Sequence, residues 1–235
     1  NTLRKHIKVE PEKFYYDCDR LGMIVFQDMV NNGKYSFLRD TALPTLGIKK
    51  LPDKYLHRNE KTREEFLHSM FKTVTRLYDH PCICMWTVFN EGWGQFSSSD
   101  VYGGLKKLDP TRFIDTASGW FKGGESDIES VHCYFKQYKQ KPAEKPILLT
   151  EFGGYSFRPF EHSFNTEKTY GYKYFDNKKA FENDILRLYI EEIIPQIEKG
   201  LCGAIYTQLS DVEDETNGLI SYDRKVVKVT PEKFR

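Results

Sequence analysis

Residues 83–95 read Ile83-Cys84-Met85-Trp86-Thr87-Val88-Phe89-Asn90-Glu91-Gly92-Trp93-Gly94-Gln95. The run Ile83–Phe89 is apolar without a polar alternate, the pattern of a strand covered on both faces, as parallel strands are. It stops abruptly at Asn90-Glu91-Gly92. A carboxylate at the lip of a sealed strand carries a desolvation cost that a surface glutamate avoids. The position therefore asks for a use.

Six more short segments resemble this one: Thr2–Arg4, Met23–Gln27, Phe113–Ala117, Ser130–Tyr134, Ile147–Thr150 and Cys202–Gln208. Helical patterns separate them. Pro11–Arg20 carries Phe14, Tyr15 and Cys18 at helical spacing and stops at Gly22. Glu60–Tyr78 places Phe66, Met70, Val74 and Leu77 on one face, with Asn59 as its N-cap. Ser98–Leu108 ends at Asp109-Pro110, and Asn177–Glu198 carries Phe181, Ile185, Leu188 and Ile193 on one side, with Pro195 as a kink near its end. Such repeated strand–helix alternation predicts an α/β fold with parallel strands. Seven strands are one short of a (β/α)8 TIM barrel. Residues 29–59 form a connection of a length that usually either carries function or is mobile.

Composition narrows the classes. The 235 residues suit one large domain, residues 1–235. Lys+Arg 35 against Asp+Glu 34 leaves +1, which argues for no nucleic acid and no anionic membrane partner. No apolar stretch approaches the roughly 20 residues that cross a bilayer. The 5 cysteines form no C-x-x-C pair and mostly sit in apolar runs, so free thiols are expected; this leans to a reducing, cytoplasmic compartment. A periplasmic or secreted location would require an upstream signal peptide. The chain starts without Met and closes on a helix-like Thr230–Arg235, which reads as a piece of something longer. Aromatics at 15% fit either a large core or a cleft that stacks on sugar rings.

Polar residues gather at strand C-termini: Arg4 and His6, Gln27-Asp28, Asn90-Glu91, Ser118-Gly119-Trp120, His132 and Tyr134, Glu151-Phe152-Gly153-Gly154, and Gln208 with Asp211. In a parallel barrel these ends open on one face, where the chemistry of such folds sits. Glu91 and Glu151 stand out, each ending a buried strand. Paired carboxylates suit glycoside cleavage, one as acid and the other as nucleophile or base. Taken singly, each is as well explained by a helix cap or an ion pair with arginine.

At this point the residues carry a resemblance. His80-Pro81-Cys82-Ile83-Cys84-Met85-Trp86-Thr87-Val88-Phe89-Asn90-Glu91 resembles the acid/base signature of glycoside hydrolase family 2, the β-galactosidase, β-glucuronidase and β-mannosidase family. Asn1–Arg4, Phe14–Val25, Thr150–Gly154 and Gln208–Gly218 resemble further stretches of that family, in order, over nearly the whole chain. The resemblance implies a β-galactosidase-like exo-glycosidase acting by a retaining mechanism, with Glu91 as acid/base and Glu151 as nucleophile. It implies a (β/α)8 barrel whose first strand and helix are missing, which accounts for seven strands. It implies no cofactor and no metal. The partner is a β-linked oligosaccharide or glycoside, with oligomerisation open through adjoining domains. One departure is clear: the family's Arg-x-x-His-Tyr-Pro run is replaced by Arg4-Lys5-His6-Ile7-Lys8.

Several other residues are candidates for substrate contact. Asn90 is placed for a sugar hydroxyl, or for a strand-end cap. His132 is either a sugar contact or a satisfied core histidine. Trp120 is either a stacking platform or core, and Trp93, flanked by glycines, favours the cleft. Trp86 and Trp93 are expected beside Glu91. Asp28 either holds Arg4 or binds substrate. Arg4 and Tyr134 are expected to serve Glu151, and Gln208 closes the last strand. The acidic run Asp211, Glu213, Asp214, Glu215 reads as a solvated loop or salt-bridge set rather than a calcium loop. A carbohydrate-binding barrel without turnover is the competing reading. A metal-dependent hydrolase would need a His/Asp cluster that the sequence does not offer.

Overall fold

A computed structural model describes residues 1–31, 36–38, 42, 43, 46, 53 and 56–234. Most of the 29–59 connection therefore lies outside the described residues. The chain divides into two compact units, Asn1–Val131 and His132–Arg235.

The first unit runs β1 (Thr2–Lys5), α1 (Glu12–Leu21), β2 (Ile24–Asp28), α2 (Glu60–Leu77), β3 (Ile83–Asn90), α3 (Ser98–Leu108) and β4 (Phe113–Ser118). Its sheet is parallel in the order β1-β2-β3-β4, so each strand pairs with the next in sequence. Local signals set the helix limits. Gly22 ends α1 at φ 67, and the Met23 amide reaches back to the Cys18 carbonyl at 2.9 Å. The Asn59 side chain caps α2 by accepting from the Thr62 amide at 3.1 Å. The core joins Phe66, Val74 and Leu77 of α2 to Trp86, Val88 and Phe89 of β3, with Phe66 stacked on Phe89 at 5.1 Å.

Trp86 is fully buried in this core. Its indole N–H donates to Asp109 Oδ2 at 2.8 Å, and the Arg112 guanidinium lies 5.5 Å from its ring centre. It joins the Asp109–Arg112 cluster, which links the end of α3 to the start of β4. Asp109 is fully buried. Burial opposes its ionisation, but hydrogen bonds from Thr111, Trp86 and Arg112 outweigh it and bring the carboxyl down to about 2.

β5 (Glu129–Cys133) leads into the second unit, which carries β6 (Ile147–Gly153) and β9 (Leu201–Thr207). The sheet order is β5-β6-β9, with β6 and β9 parallel. Between these strands lies a small parallel pair, β7 (Tyr155–Phe157) and β8 (Lys173–Phe175), which the hydrophobic pattern does not announce. The helix expected over Asn177–Glu198 is α4 only for Lys178–Arg187. It widens to a π-helix over Leu188–Ile193 and tightens to a 3-10 helix over Ile194–Lys199. Pro195 has no amide hydrogen to continue the α ladder, which accounts for the break.

Of the two readings of the acidic run, a solvated loop or a salt-bridge set, its first member takes the second. Asp211 is buried and paired with buried Lys228 at 2.6 Å. The Lys228 ammonium also donates to the Thr216 carbonyl at 2.9 Å, and the Gly218 amide donates to Asp211 at 2.9 Å. This pair pins the segment that follows β9. Among the described residues no helix is long and apolar enough to cross a membrane.

Candidate active site

In the first unit, Arg4 organises the strand ends. Its Nε and Nη2 donate to Asp28 Oδ1 and Oδ2 at 3.0 and 2.8 Å, and Nη2 donates to Asn90 Oδ1 at 2.7 Å. Both members of the Arg4–Asp28 pair are almost completely buried. Of the two roles open to Asp28, the structure assigns it the hold on Arg4. A two-point guanidinium–carboxylate contact fixes orientation as well as charge. The Asn90 amide is thus held by its oxygen, while its nitrogen lies 3.2 Å from His6 Nε2. His6 is displaced in the sequence relative to the family run, yet it reaches the residue next to Glu91. The Ile7 amide closes the corner by donating to Asp28 Oδ2 at 3.2 Å.

Glu91 is half-buried and begins a tight turn. Its φ is 51 and that of Gly92 is 80, and the Trp93 amide returns to the Asn90 carbonyl at 2.9 Å. Gly92 is required here, because a Cβ would overlap the Phe121 ring. The Glu91 amide donates to the Ser118 carbonyl at 2.8 Å, which ties the turn to the end of β4. Trp93 and Trp120, from the turn and from the residues after β4, are each half-buried.

Asp115 of β4 went unremarked in the sequence. It is buried, it accepts from Ser130 Oγ at 2.9 Å, and its Oδ2 has no hydrogen-bond partner among the described residues. Burial pushes its carboxyl up to about 6, against the pull of Arg4.

The second unit holds the other carboxylate. Glu151 lies on β6, its side chain 13% exposed. The Tyr134 hydroxyl donates to Glu151 Oε2, and His132 Nδ1 lies 3.5 Å from the same oxygen. His132 is buried, so the strand-end histidine and the strand-end tyrosine converge on one carboxylate oxygen. Burial and the adjacent Glu151 charge push the Tyr134 phenol far above its ordinary range, which keeps it a donor. Its hydroxyl also lies 3.0 Å from Thr207 Oγ1 at the end of β9. Its ring stacks on Tyr172 at 4.0 Å. Neither Thr207 nor Tyr172 was singled out from sequence. Thr207 obeys the same strand-end rule that marks the others, whereas nothing local marks Tyr172.

Gln208 follows Thr207 in the chain, and its side chain has partners of its own. Its Nε2 donates to Glu215 Oε2 at 2.8 Å and to Asn217 Oδ1 at 2.6 Å. It braces the segment after β9. Each unit thus carries one of the two glutamates singled out from the sequence, Glu91 in the first and Glu151 in the second. One polar network holds Glu151 and another holds Asn90, the residue before Glu91.

Comparisons with known proteins agree with this architecture. A β-galactosidase of Aeromonas hydrophila subsp. hydrophila is 28% identical over 149 residues, 63% of this chain and 12% of that protein. A putative β-glucuronidase of Formosa agariphila is 26% identical over 155 residues, 64% of this chain and 13% of that protein. The chain therefore spans about an eighth of the length of these relatives. In fold it is similar to a GH2 β-galacturonidase from Eisenbergiella tayi, solved bound to galacturonate. That match has a TM-score of 0.64 and 17% identity, and it covers 100% of this chain and 45% of the other. The parallel β–α units are accordingly part of a (β/α) barrel. The model of the glycosyl hydrolases family 2 TIM barrel domain matches residues 9–219, and the chain belongs to that family.

Proposed function

We propose that this chain is the catalytic barrel, over residues 1–235, of a β-galactosidase-like exo-glycosidase. In this reading it cleaves terminal β-glycosidic bonds with retention of configuration, Glu91 acting as acid/base and Glu151 as nucleophile. The observation that carries the reading is the Tyr134–Glu151–His132 cluster. A nucleophilic carboxylate has to be ionised and aimed, and hydrogen-bond donors on one oxygen do both. The second oxygen is then the one that attacks the anomeric carbon. Glu91 protonates the departing glycosidic oxygen and then takes a proton from the water that releases the glycosyl-enzyme.

Asn90 is held by Arg4 and adjoins Glu91, so its amide is offered to a sugar hydroxyl. Trp93 and Trp120 supply aromatic faces for the sugar's C–H surfaces. Membership of the family and the β-galactosidase and β-glucuronidase relatives support a β-glycoside as substrate.

The test is hydrolysis of p-nitrophenyl β-galactoside and β-glucuronide by the wild-type chain and by Glu151→Gln and Glu91→Gln. Turnover is expected, falling by about 10³-fold or more in each variant. Added azide is expected to restore product release in Glu91→Gln. Sugar binding without turnover in the wild type would instead favour a carbohydrate-binding barrel.

A further inference from the structure

A pocket of about 310 Å³ lies within the second unit, outside the Glu151 cluster but adjoining it. It is at the small end of the range for ligand sites, ~300–1,000 Å³. It adjoins the start of residues 134–146, which join β5 to β6 without a helix. Crossovers of that length usually carry one.

The lining is mixed. Phe135, Tyr138, Tyr155 and Tyr172 contribute aromatic rings, and Lys136 and Glu192 contribute charge. Phe135 is 80% exposed, an unusual position for a phenylalanine, and its ring meets Tyr172 edge-on at 5.0 Å. Tyr138 is buried, and its amide donates to the Glu192 carboxylate at 3.4 Å. Tyr134 belongs to both places: its hydroxyl donates to Glu151, and its ring lines the pocket against Tyr172.

We propose that this pocket is a sugar subsite, holding a further pyranose of the glycan whose terminal bond is cleaved at Glu151. The inference rests on the glycosidase reading above. Aromatic rings offer flat apolar surfaces to the C–H faces of a pyranose. A carboxylate and an ammonium at the same site accept from and donate to its hydroxyls. A purely apolar partner would desolvate the Lys136 ammonium and leave the Glu192 carboxylate to the long contact from the Tyr138 amide. Continuity through Tyr134 argues for a ring of the same chain over an unconnected effector. The subsite would favour oligosaccharides over monoglycosides.

The test uses the Glu151→Gln chain, which binds without turnover. β-1,4-Galactotetraose and the corresponding β-1,4-linked tetraglucuronate are titrated calorimetrically, with p-nitrophenyl β-galactoside and β-glucuronide as single-sugar controls. Phe135→Ala and Glu192→Ala are then added to that background. Phe135 is exposed, so its removal should leave the melting temperature unchanged.

At least one tetrasaccharide is expected to bind, and each pocket substitution should weaken it about five-fold or more. Monoglycoside binding should move by less than about two-fold. Tetrasaccharide affinity that ignores both substitutions overturns the subsite, as does failure of both tetrasaccharides to bind while a monoglycoside does. Pocket-dependent tetrasaccharide binding in a chain whose wild type hydrolyses no glycoside would keep the subsite and reject the catalytic reading. Absence of binding by every probe rejects both.

Discussion

Tyr134 shares one hydroxyl between Glu151 and Thr207 Oγ1. Its phenol cannot ionise at working pH, so the hydrogen always faces an acceptor. Replacing it with phenylalanine removes the donor and leaves the ring on Tyr172. On the glycosidase reading, Tyr134→Phe should lower kcat on p-nitrophenyl β-galactoside or β-glucuronide by about 10²-fold. A purely structural tyrosine would instead show its loss in the melting curve with kcat preserved. Arg4 is the corresponding anchor in the first unit. Arg4→Ala strands the buried Asp28 carboxylate and should cost about 3–5 kcal/mol in denaturant unfolding. At this scale the sequence is half legible. Glu91 and Glu151 stand out because each ends an apolar strand, and Arg4, His132 and Tyr134 follow from the same rule. Asp115 and Lys228 do not, since their partners Ser130 and Asp211 lie 15 and 17 positions away in the chain.

The elements repeat this division. All seven expected strands are present, six within one residue of their expected limits and Ile147–Thr150 running on to Gly153; β3 and β4, buried on both faces, are the clearest of them. The helices α1, α2 and α3 follow their caps, Pro11, Asn59 and the Asp109-Pro110 stop. What escaped is irregular. The β7–β8 pair is three residues on each side, too short for a period to show. The π segment Leu188–Ile193 keeps its apolar residues near helical spacing, so only Pro195 betrays the change. Two glycines are part of the element design at the site. Gly153, at the end of β6, has φ 83, and a Cβ there would overlap the Tyr206 ring. Gly153→Ala should therefore destabilise the chain by about 1–3 kcal/mol in urea unfolding. A neutral result would show that Tyr206 can yield.

At the scale of the whole molecule, stability should depend on pH through two buried aspartates with opposite signs. Asp109 has its carboxyl lowered from 3.8 to about 2, so its contribution is complete above pH 3.8 and is lost as pH falls through 2. Asp115 is raised from 3.8 to about 6, so the folded state binds its proton more tightly than the unfolded state. Its ionisation therefore weakens the fold progressively as pH rises from 3.8 to 6. Asp115→Asn should match wild type below pH 4, gain stability relative to it between pH 4 and 6, and hold that gain above. Urea midpoints across pH 3–8 would show this, and parallel curves for the two proteins would refute it.

The central claim concerns chemistry, and stereochemistry tests it most directly. Proton NMR of the first-formed sugar, during hydrolysis of an aryl β-galactoside or β-glucuronide, reports which anomer leaves the enzyme. A retaining pair built from Glu91 and Glu151 releases the β-anomer first, with the α-anomer appearing only by mutarotation. Initial release of the α-anomer, or no release from either glycoside, would contradict the account.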